Sequence, residues 1–323
     1  MRAAQIEQPG GPEAIKIVEL DDPRPGEGAL LVQVAAAGVN FIDTYQRSGH
    51  YPQPMPYVLG LEGAGTVREL GPGASGFSVG DRVAWSGVPG SYAQLVTVPA
   101  DRAVRVPAEV TEEQAVGALL QGMTAHALVT STYPVAHGED VLVHAAAGGV
   151  GLLLTQLATA RGGRVIGTVS TEEKAALARD AGAAEVIRYD QIDDLAAEVR
   201  RLTGGQGVAV VYDGVGKTTF DASLASLRIR GMLVLFGGAS GPVPPVDPQR
   251  LNAGGSLYLT RPTLFHYIAT RKELEYHSGE VFAAVADGTL DIRIGHRYPL
   301  ADAAKAHEDL ESRRTTGKLV LIP

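Results

Sequence analysis

The octapeptide His144-Ala-Ala-Ala-Gly-Gly-Val-Gly151 follows the apolar run Val141-Leu142-Val143 and leads into Leu152-Leu153-Leu154. A strand that turns through glycines into a helix presents the backbone N–H groups of the helix N-terminus, and such groups bind phosphate. In the dinucleotide fingerprint G-x-G-x-x-G, the first glycine permits the turn, the second lets backbone approach a pyrophosphate, and the third lets helix and strand pack closely. Gly148 and Gly151 hold the second and third places and Ala146 the first. The turn survives this if Ala146 keeps a negative φ, with Gly149 and Val150 aiming N–H groups at phosphate. The competing reading is a glycine turn packed for structural reasons; the strand before it and the strand–helix alternation after it favour a dinucleotide site.

NAD sites usually carry an acid at the end of the second strand to hold the ribose 2′-hydroxyl. Here Gly167-Thr168-Val169 runs into Ser170-Thr171-Glu172-Glu173-Lys174. A hydroxyl with a lysine one turn onward suits a 2′-phosphate, which needs donors and positive charge, so NADP(H) is expected. A capping box from Ser170 to Glu173 beside a solvated Lys174 is an alternative that can hold at the same time.

These residues need a scaffold, and the patterning supplies two. Up to about residue 120 the chain reads as short strands broken by turn chemistry, with Ile15 to Leu20, Ala29 to Val34, Arg82 to Trp85 and Ser91 to Val98 as examples. From about 140, strands Val141 to Ala145, Arg164 to Val169, Glu185 to Tyr189, Val208 to Asp213 and Met232 to Phe236 alternate with helices Gly149 to Ala160, Thr171 to Ala181, Asp193 to Leu202 and Thr218 to Leu227. Such alternation implies a parallel sheet covered on both faces. Gly241 to Pro248 is a loop, helices follow over Lys272 to Asp287 and Asp302 to Arg313, and a strand over Lys318 to Ile322 is expected to rejoin the first domain.

Composition narrows the chemistry. A chain of 323 residues, 45% hydrophobic, can bury two cores. Its net charge of −8 argues against a surface that tracks nucleic acid. The absence of cysteine removes disulfides, thiolate nucleophiles and every Cys-based zinc site. The first residues lack the apolar core of a signal peptide and Ala145 to Leu154 is too short to span a bilayer, so a cytoplasmic protein is expected. The eight histidines show no His-x-x-x-His pair, and His144 reads as a satisfied structural histidine.

Five segments carry a resemblance that spans essentially the whole chain: Ala37 to Tyr45, Gly60 to Val67, His144 to Gly151, Val211 to Gly216 and Thr315 to Lys318. The chain resembles the zinc-free, ζ-crystallin-like quinone oxidoreductases of the medium-chain dehydrogenase/reductase superfamily. The resemblance implies an α/β protein: a GroES-like β-barrel catalytic domain over 1–123 and 264–323, with an inserted Rossmann domain, a doubly wound parallel sheet, over 124–263. It also implies a homodimer and NADPH as cofactor. Asn40 and Tyr45 are the implied catalytic residues. The implied cofactor contacts are Phe41, Ile42, Asp43, Thr124, Gly148, Gly149, Val150, Gly151, Ser170, Lys174, Tyr189, Phe236, Gly237 and Arg313. Tyr189 could instead only pack at a strand end, and Arg313 could be an ordinary charge at a helix C-terminus.

Where zinc-dependent relatives have Cys and a Gly-His-Glu motif, this chain has Asn40 and Leu61, and Glu62 alone cannot supply three ligands. No metal is expected. Without a Lewis acid the acceptor must be electron-poor, a quinone or a conjugated enone, with Asn40 and Tyr45 contacting the developing oxyanion and Tyr45 or water delivering a proton. Tyr51 is a second candidate. The reading is an NADPH-dependent quinone reductase; the rivals are an enone or enoyl-thioester reductase on the same fold and an RNA-binding protein that retains NADPH.

Overall fold

The computed structural model describes residues 1–312 and 314–323, so the expected cofactor contact Arg313 lies outside the described residues. The chain divides into two compact units, one of residues 1–123 and 268–323, the other of 124–267.

The first unit opens with strands β1 (Arg2–Ile6), β2 (Lys16–Glu19) and β3 (Ala29–Val39), helix α1 (Phe41–Arg47), and strands β4 (Tyr57–Val58), β5 (Glu62–Leu70), β6 (Arg82–Ser86), β7 (Leu95–Pro99) and β8 (Ala103–Arg105). Helix α2 (Glu112–Ala127) follows. Strand β3 is the spine: it pairs antiparallel with β5, with β7 and with the distant β16 (Lys318–Ile322), whose Leu319, Val320 and Leu321 face Val39, Gly38 and Ala37. The core packed on this sheet includes Leu30, Val32, Leu59, Trp85, Tyr92, Leu319 and Leu321.

The second unit alternates as its sequence does: β9 (Asp140–Val143), α3 (Gly149–Ala160), β10 (Arg164–Val169), α4 (Glu172–Asp180), β11 (Glu185–Arg188), α5 (Leu195–Leu202), β12 (Val208–Asp213), α6 (Phe220–Ala225), β13 (Leu227–Leu235), α7 (Gln249–Ala253) and β14 (Tyr258–Thr260). All its strand pairs are parallel, in the order β11-β10-β9-β12-β13-β14. Strand β12 is buried throughout, hence its unbroken run Val208-Ala209-Val210-Val211-Tyr212 rather than an alternation. The order reverses between β9 and β12, and the carboxyl ends of the strands at such a switch point are where open α/β sheets take ligands. One expected element is shortened: the helix expected over Thr218 to Leu227 ends at Ala225, because Leu227 already opens β13 and pairs with Val208 of β12.

The chain returns to the first unit through α8 (Arg271–Ala286), β15 (Ile294–Pro299) and α9 (Ala303–Glu311) before β16.

Candidate functional site

In the second unit, Gly148 is the N-cap of α3, in extended backbone at φ −78°; its own N–H donates to Ala145 O at 2.8 Å, and the N–H groups that follow it belong to the first turn, where no helical carbonyl precedes them. The glycine at 151 is obligatory: a Cβ there would lie 2.2 Å from the carbonyl oxygen of Ala145 and 2.9 Å from Cα of Ala146. Gly148 is less constrained, a Cβ meeting only Ala145 O at 3.2 Å. The positive φ that the turn needs falls on Ala145, at 50°, and Ala146 is spared it. The methyl of Ala146 is accommodated by a glycine elsewhere, since a Cβ on Gly167 of β10 would come within 2.9 Å of it. The missing first glycine has thus been transferred to the neighbouring strand.

Behind the turn, His144 Nε2 meets Ser223 Oγ at 2.9 Å and its Nδ1 meets Thr168 Oγ1 at 3.0 Å. Ser223 donates in turn to Asp213 Oδ2 at 2.8 Å. The hydroxyl of Ser223 is therefore left to accept from Nε2–H, and Nδ1 accepts from Thr168. Burial lowers the His144 pKa, as befits a neutral ring. Asp213 also accepts from Val215 N, Gly216 N and Thr219 Oγ1, and its backbone carbonyl accepts from Phe236 N at 2.9 Å. The carboxyl ends of β9, β10, β12 and β13 are tied into one rim by these bonds, with Phe236 and Gly237 on it; a Cβ on Gly237 would meet Gly214 O at 2.4 Å.

At the ends of the adjacent β10 and β11, Lys174 Nζ donates to Ser170 Oγ at 3.4 Å, and Tyr189, half exposed, is tied by its N–H to Val169 O at 3.1 Å. The alternative of a Ser170 cap is corrected: Thr171 is the N-cap of α4, accepting from Lys174 N at 3.2 Å. The hydroxyl one residue earlier is left facing the ammonium. Burial lowers the Lys174 pKa, an environment that a bound anion would reverse. The cradle at Gly148 to Gly151 and this hydroxyl–ammonium pair fit a phosphorylated dinucleotide. Thr124, half buried, lies on α2.

In the first unit, α1 begins with a reciprocal cap: Asp43 Oδ2 accepts from Asn40 N at 2.8 Å. The side chain of Asn40 is committed inside the protein. Its Nδ2 donates to Glu62 Oε2 at 3.0 Å and Gly38 O at 3.3 Å, and its Oδ1 accepts from Lys318 Nζ at 2.9 Å. Lys318 and Glu62 form a fully buried ion pair at 2.5 Å, and Glu62 Oε1 accepts from Leu120 N at 2.6 Å. Gly38 makes room for the pair, because a Cβ there would lie 2.2 Å from Glu62 Oε2 and 2.8 Å from Lys318 Nζ. The expected contact from Asn40 to an oxyanion has no amide hydrogen left to make it, both being spent on Glu62 and Gly38.

Tyr45 stands in an aromatic group, edge-on to His50 at 5.6 Å and to Tyr51 at 5.4 Å, with Phe41 at 6.4 Å. Ile42 lies beside them on α1, half buried. Asp43 is wholly buried, with its carboxyl spent on Asn40 N and the Tyr92 hydroxyl, so the expected cofactor contact finds no exposed part of this residue. Among the described residues no cluster of three or more His, Asp or Glu side chains could hold a metal. Sequence reading missed Glu62 and Lys318 as partners of Asn40. The signals were there in Gly60-Leu61-Glu62-Gly63 and Thr315-Thr316-Gly317-Lys318, segments recognised only for their likeness. It also missed the capping pair Asn40-x-x-Asp43, a recognised helix start.

Residues 26–108 match the family model of the alcohol dehydrogenase GroES-like domain, and residues 149–278 match that of zinc-binding dehydrogenase. The quinone oxidoreductase of Salmonella typhimurium is 47% identical over 318 residues, covering 97% of each chain. A 2-haloacrylate reductase of Burkholderia sp is 42% identical, covering 99% of this chain and 98% of the relative. Among solved structures, the Escherichia coli quinone oxidoreductase complexed with NADPH is similar at a TM-score of 0.97 and 44% identity, covering all of both chains. Matched nearly end to end by such relatives, with a GroES-like unit and a doubly wound unit in place, the chain belongs to the ζ-crystallin-like quinone oxidoreductase family of the medium-chain dehydrogenase/reductase superfamily.

Proposed function

We propose that this protein is an NADPH-dependent quinone reductase that works without a metal. The observation that carries the coenzyme choice is the Ser170–Lys174 pair at the end of β10, where NAD enzymes place an acid. The rim from Gly148 to Gly151 takes the pyrophosphate on helix N–H groups, and Ser170, Lys174 and Tyr189 take the 2′-phosphate. Thr124, Phe236 and Gly237 complete the cofactor contacts, with Arg313 outside the described residues.

When bound, NADPH supplies a hydride, and a quinone accepts it with one proton to become the quinol. The flat aromatic group of Phe41, Tyr45 and Tyr51 suits a planar acceptor. Tyr45 is the proposed donor to the oxygen on which charge develops, and Asn40, its amide already committed, shapes the site rather than touching that oxygen. Metal independence is supported by Lys318: an ammonium bonded to both Glu62 and Asn40 repels a cation from the place where zinc-dependent relatives hold theirs.

A second reading, reduction of conjugated acids or enones, is favoured by the similarity to a 2-haloacrylate reductase. A homodimer is supported by the open edge of β14 in the second unit's sheet, with Tyr258 56% and Ile229 73% exposed.

Steady-state kinetics with NADPH and NADH test the assignment. Lys174→Ala should weaken NADPH by roughly ten- to a hundred-fold, from the loss of one charge-assisted bond, and leave NADH almost unaffected. The lower end is expected because Glu172 and Glu173 are close by. Equal weakening of both coenzymes would overturn the 2′-phosphate site. A panel of quinones, enones, haloacrylates and enoyl thioesters would separate the two acceptor readings.

A further inference from the structure

A chain of buried polar groups runs away from α1 on its inner side. Asp43 Oδ2 accepts from the hydroxyl of Tyr92 at 2.9 Å, Tyr92 Oη meets His307 Nε2 at 3.2 Å, and His307 Nδ1 meets Arg47 Nη1 at 3.1 Å. Arg47 then pairs with Glu311 through two bonds of 2.9 Å and donates from Nε to Gly10 O. Asp43, Tyr92 and His307 are fully enclosed, and Arg47 is nearly so. These four residues come from α1, the segment between β6 and β7, and α9.

The direction of every bond follows from one fact: a guanidinium only donates. His307 Nδ1 must therefore accept, which puts the ring proton on Nε2. That N–H donates to Tyr92 Oη, and the tyrosine hydroxyl is free to donate only onward, to Asp43. The carboxylate receives this bond and the one from Asn40 N on the same oxygen, while Oδ1 is buried without a partner. Burial, and then the charge of Arg47, hold the His307 pKa down to about 3, so the ring stays neutral and its tautomer does not change over the physiological range.

We propose that Tyr92 and His307 are positioning residues for the acceptor site: a hydrogen-bond chain running one way, from Arg47 to Asp43, fixes the first turn of α1 and with it Phe41 and Tyr45. The inference rests on the reading above that α1 lines the acceptor site. Neither residue touches substrate in it. What they supply is a donor aimed at the buried carboxyl that caps the helix, and a brace from α9 that stops the helix from rotating.

Asp43 is the member whose charge can be read. Burial pushes its pKa up to about 7, against the bonds from Asn40 N and Tyr92 and the charge of Lys318, with Glu62 acting alongside burial. Lys318 of β16, Glu62 of β5, Tyr57 of β4, Tyr92, and Arg47 one turn along α1 are the ionisable groups around it. Loss of protons from Asp43 strengthens the cap, so kcat/KM should rise with pH through this ionisation. Removing the Tyr92 hydroxyl takes away a bond that favours the carboxylate, and the acid limb should move up by about one pH unit.

Two measurements on the full-length protein test this. In the resting protein, the ring nitrogens of His307 observed by 15N NMR should show a bare Nδ1 and a protonated Nε2, with no titration between pH 5 and 8. A proton on Nδ1, or a titrating ring, would overturn the direction of the chain whatever the enzyme reduces. The second is the pH profile of quinone reduction. Tyr92→Phe and His307→Leu should both raise the acid limb, while His307→Gln, with one acceptor and one donor, should return it to the wild-type position. Uniform loss of rate with an unmoved limb would reduce both residues to packing and sink the positioning role. A correct tautomer in a protein that reduces no quinone would overturn the functional reading, and the positioning role with it.

Discussion

Lys318 and Glu62 show how much one buried pair can decide. Each is almost fully removed from water, and each depends on the other and on Asn40 for its hydrogen bonds. Removing one partner leaves the other charge buried and alone, which costs about 3–5 kcal/mol, whereas replacing both by apolar groups can be near neutral. Lys318→Met and Glu62→Met should each lower the denaturation midpoint strongly, and the double variant should be much less unstable than the sum. Additive losses in that cycle would show that the pair is not coupled. Asp43 yields a second expectation. Its folded pKa, about 7, is above the unfolded value of 3.8, so its contribution to stability is fully present below pH 3.8 and is lost as pH rises to about 7. Asp43→Asn should flatten the pH dependence of urea unfolding between pH 4 and 7; an unchanged slope there would contradict the raised pKa. Residue types at the site were legible because Asn40, Tyr45 and Lys174 sit in recognisable segments. Their partners were not, because a bond spanning 278 residues, as between Lys318 and Asn40, leaves no local pattern.

At the level of elements, strands and helices of the second unit could be read closely from periodicity. The exceptions have separate causes. Thr171 rather than Ser170 caps α4, its hydroxyl accepting from Lys174 N while that of Ser170 faces the lysine ammonium, and Leu227 begins a strand rather than closing a helix because it pairs with Val208. The glycine turn is the opposite case, in which a departure from the fingerprint could not be understood until a second strand was seen. Ala146 and Gly167 exchange one methyl between β10 and the turn. Gly167→Ala should therefore be destabilising, by about 1–3 kcal/mol for an overpacked contact, and adding Ala146→Gly should restore most of the loss. Thermal unfolding of the two single variants and the double one would show it, and failure of the second change to rescue would mean that the contact is not what makes Gly167 necessary. Gly151→Ala has no such partner to yield, because its Cβ would strike backbone, so it should impair both stability and NADPH binding with no rescue at 146.

For the molecule as a whole, charge and topology bear on partners. At a net charge of −8, RNA should not bind at physiological salt, and a fluorescence titration with single-stranded RNA that saturated in the micromolar range would revive the binding-protein alternative. No helix among the described residues is long and apolar enough to cross a membrane. Two units were legible because the period of the sequence changes near residue 140. The crossing back, expected after residue 263, lies four residues later, between Tyr267 and Ile268, past a short 3-10 helix over Leu264–His266.

The place of β16 has a consequence for how the chain is made. Glu62 leaves the ribosome 256 residues before the lysine that neutralises it, and β3 leaves with its end at Ala37 to Val39 still lacking the strand beside it, although β7 fills the same edge over Ala29 to Gln33. The contiguous unit 124–267 can close while synthesis continues, because domains generally fold as units as they emerge. The first unit must wait, holding an unmatched carboxylate and a partly open strand edge, until the five residues of β16 arrive. Nascent chains arrested before Lys318 should therefore show a protease-resistant fragment covering 124–267 and rapid cleavage within 1–123. Equal resistance of the two regions would mean that the barrel does not depend on its final strand.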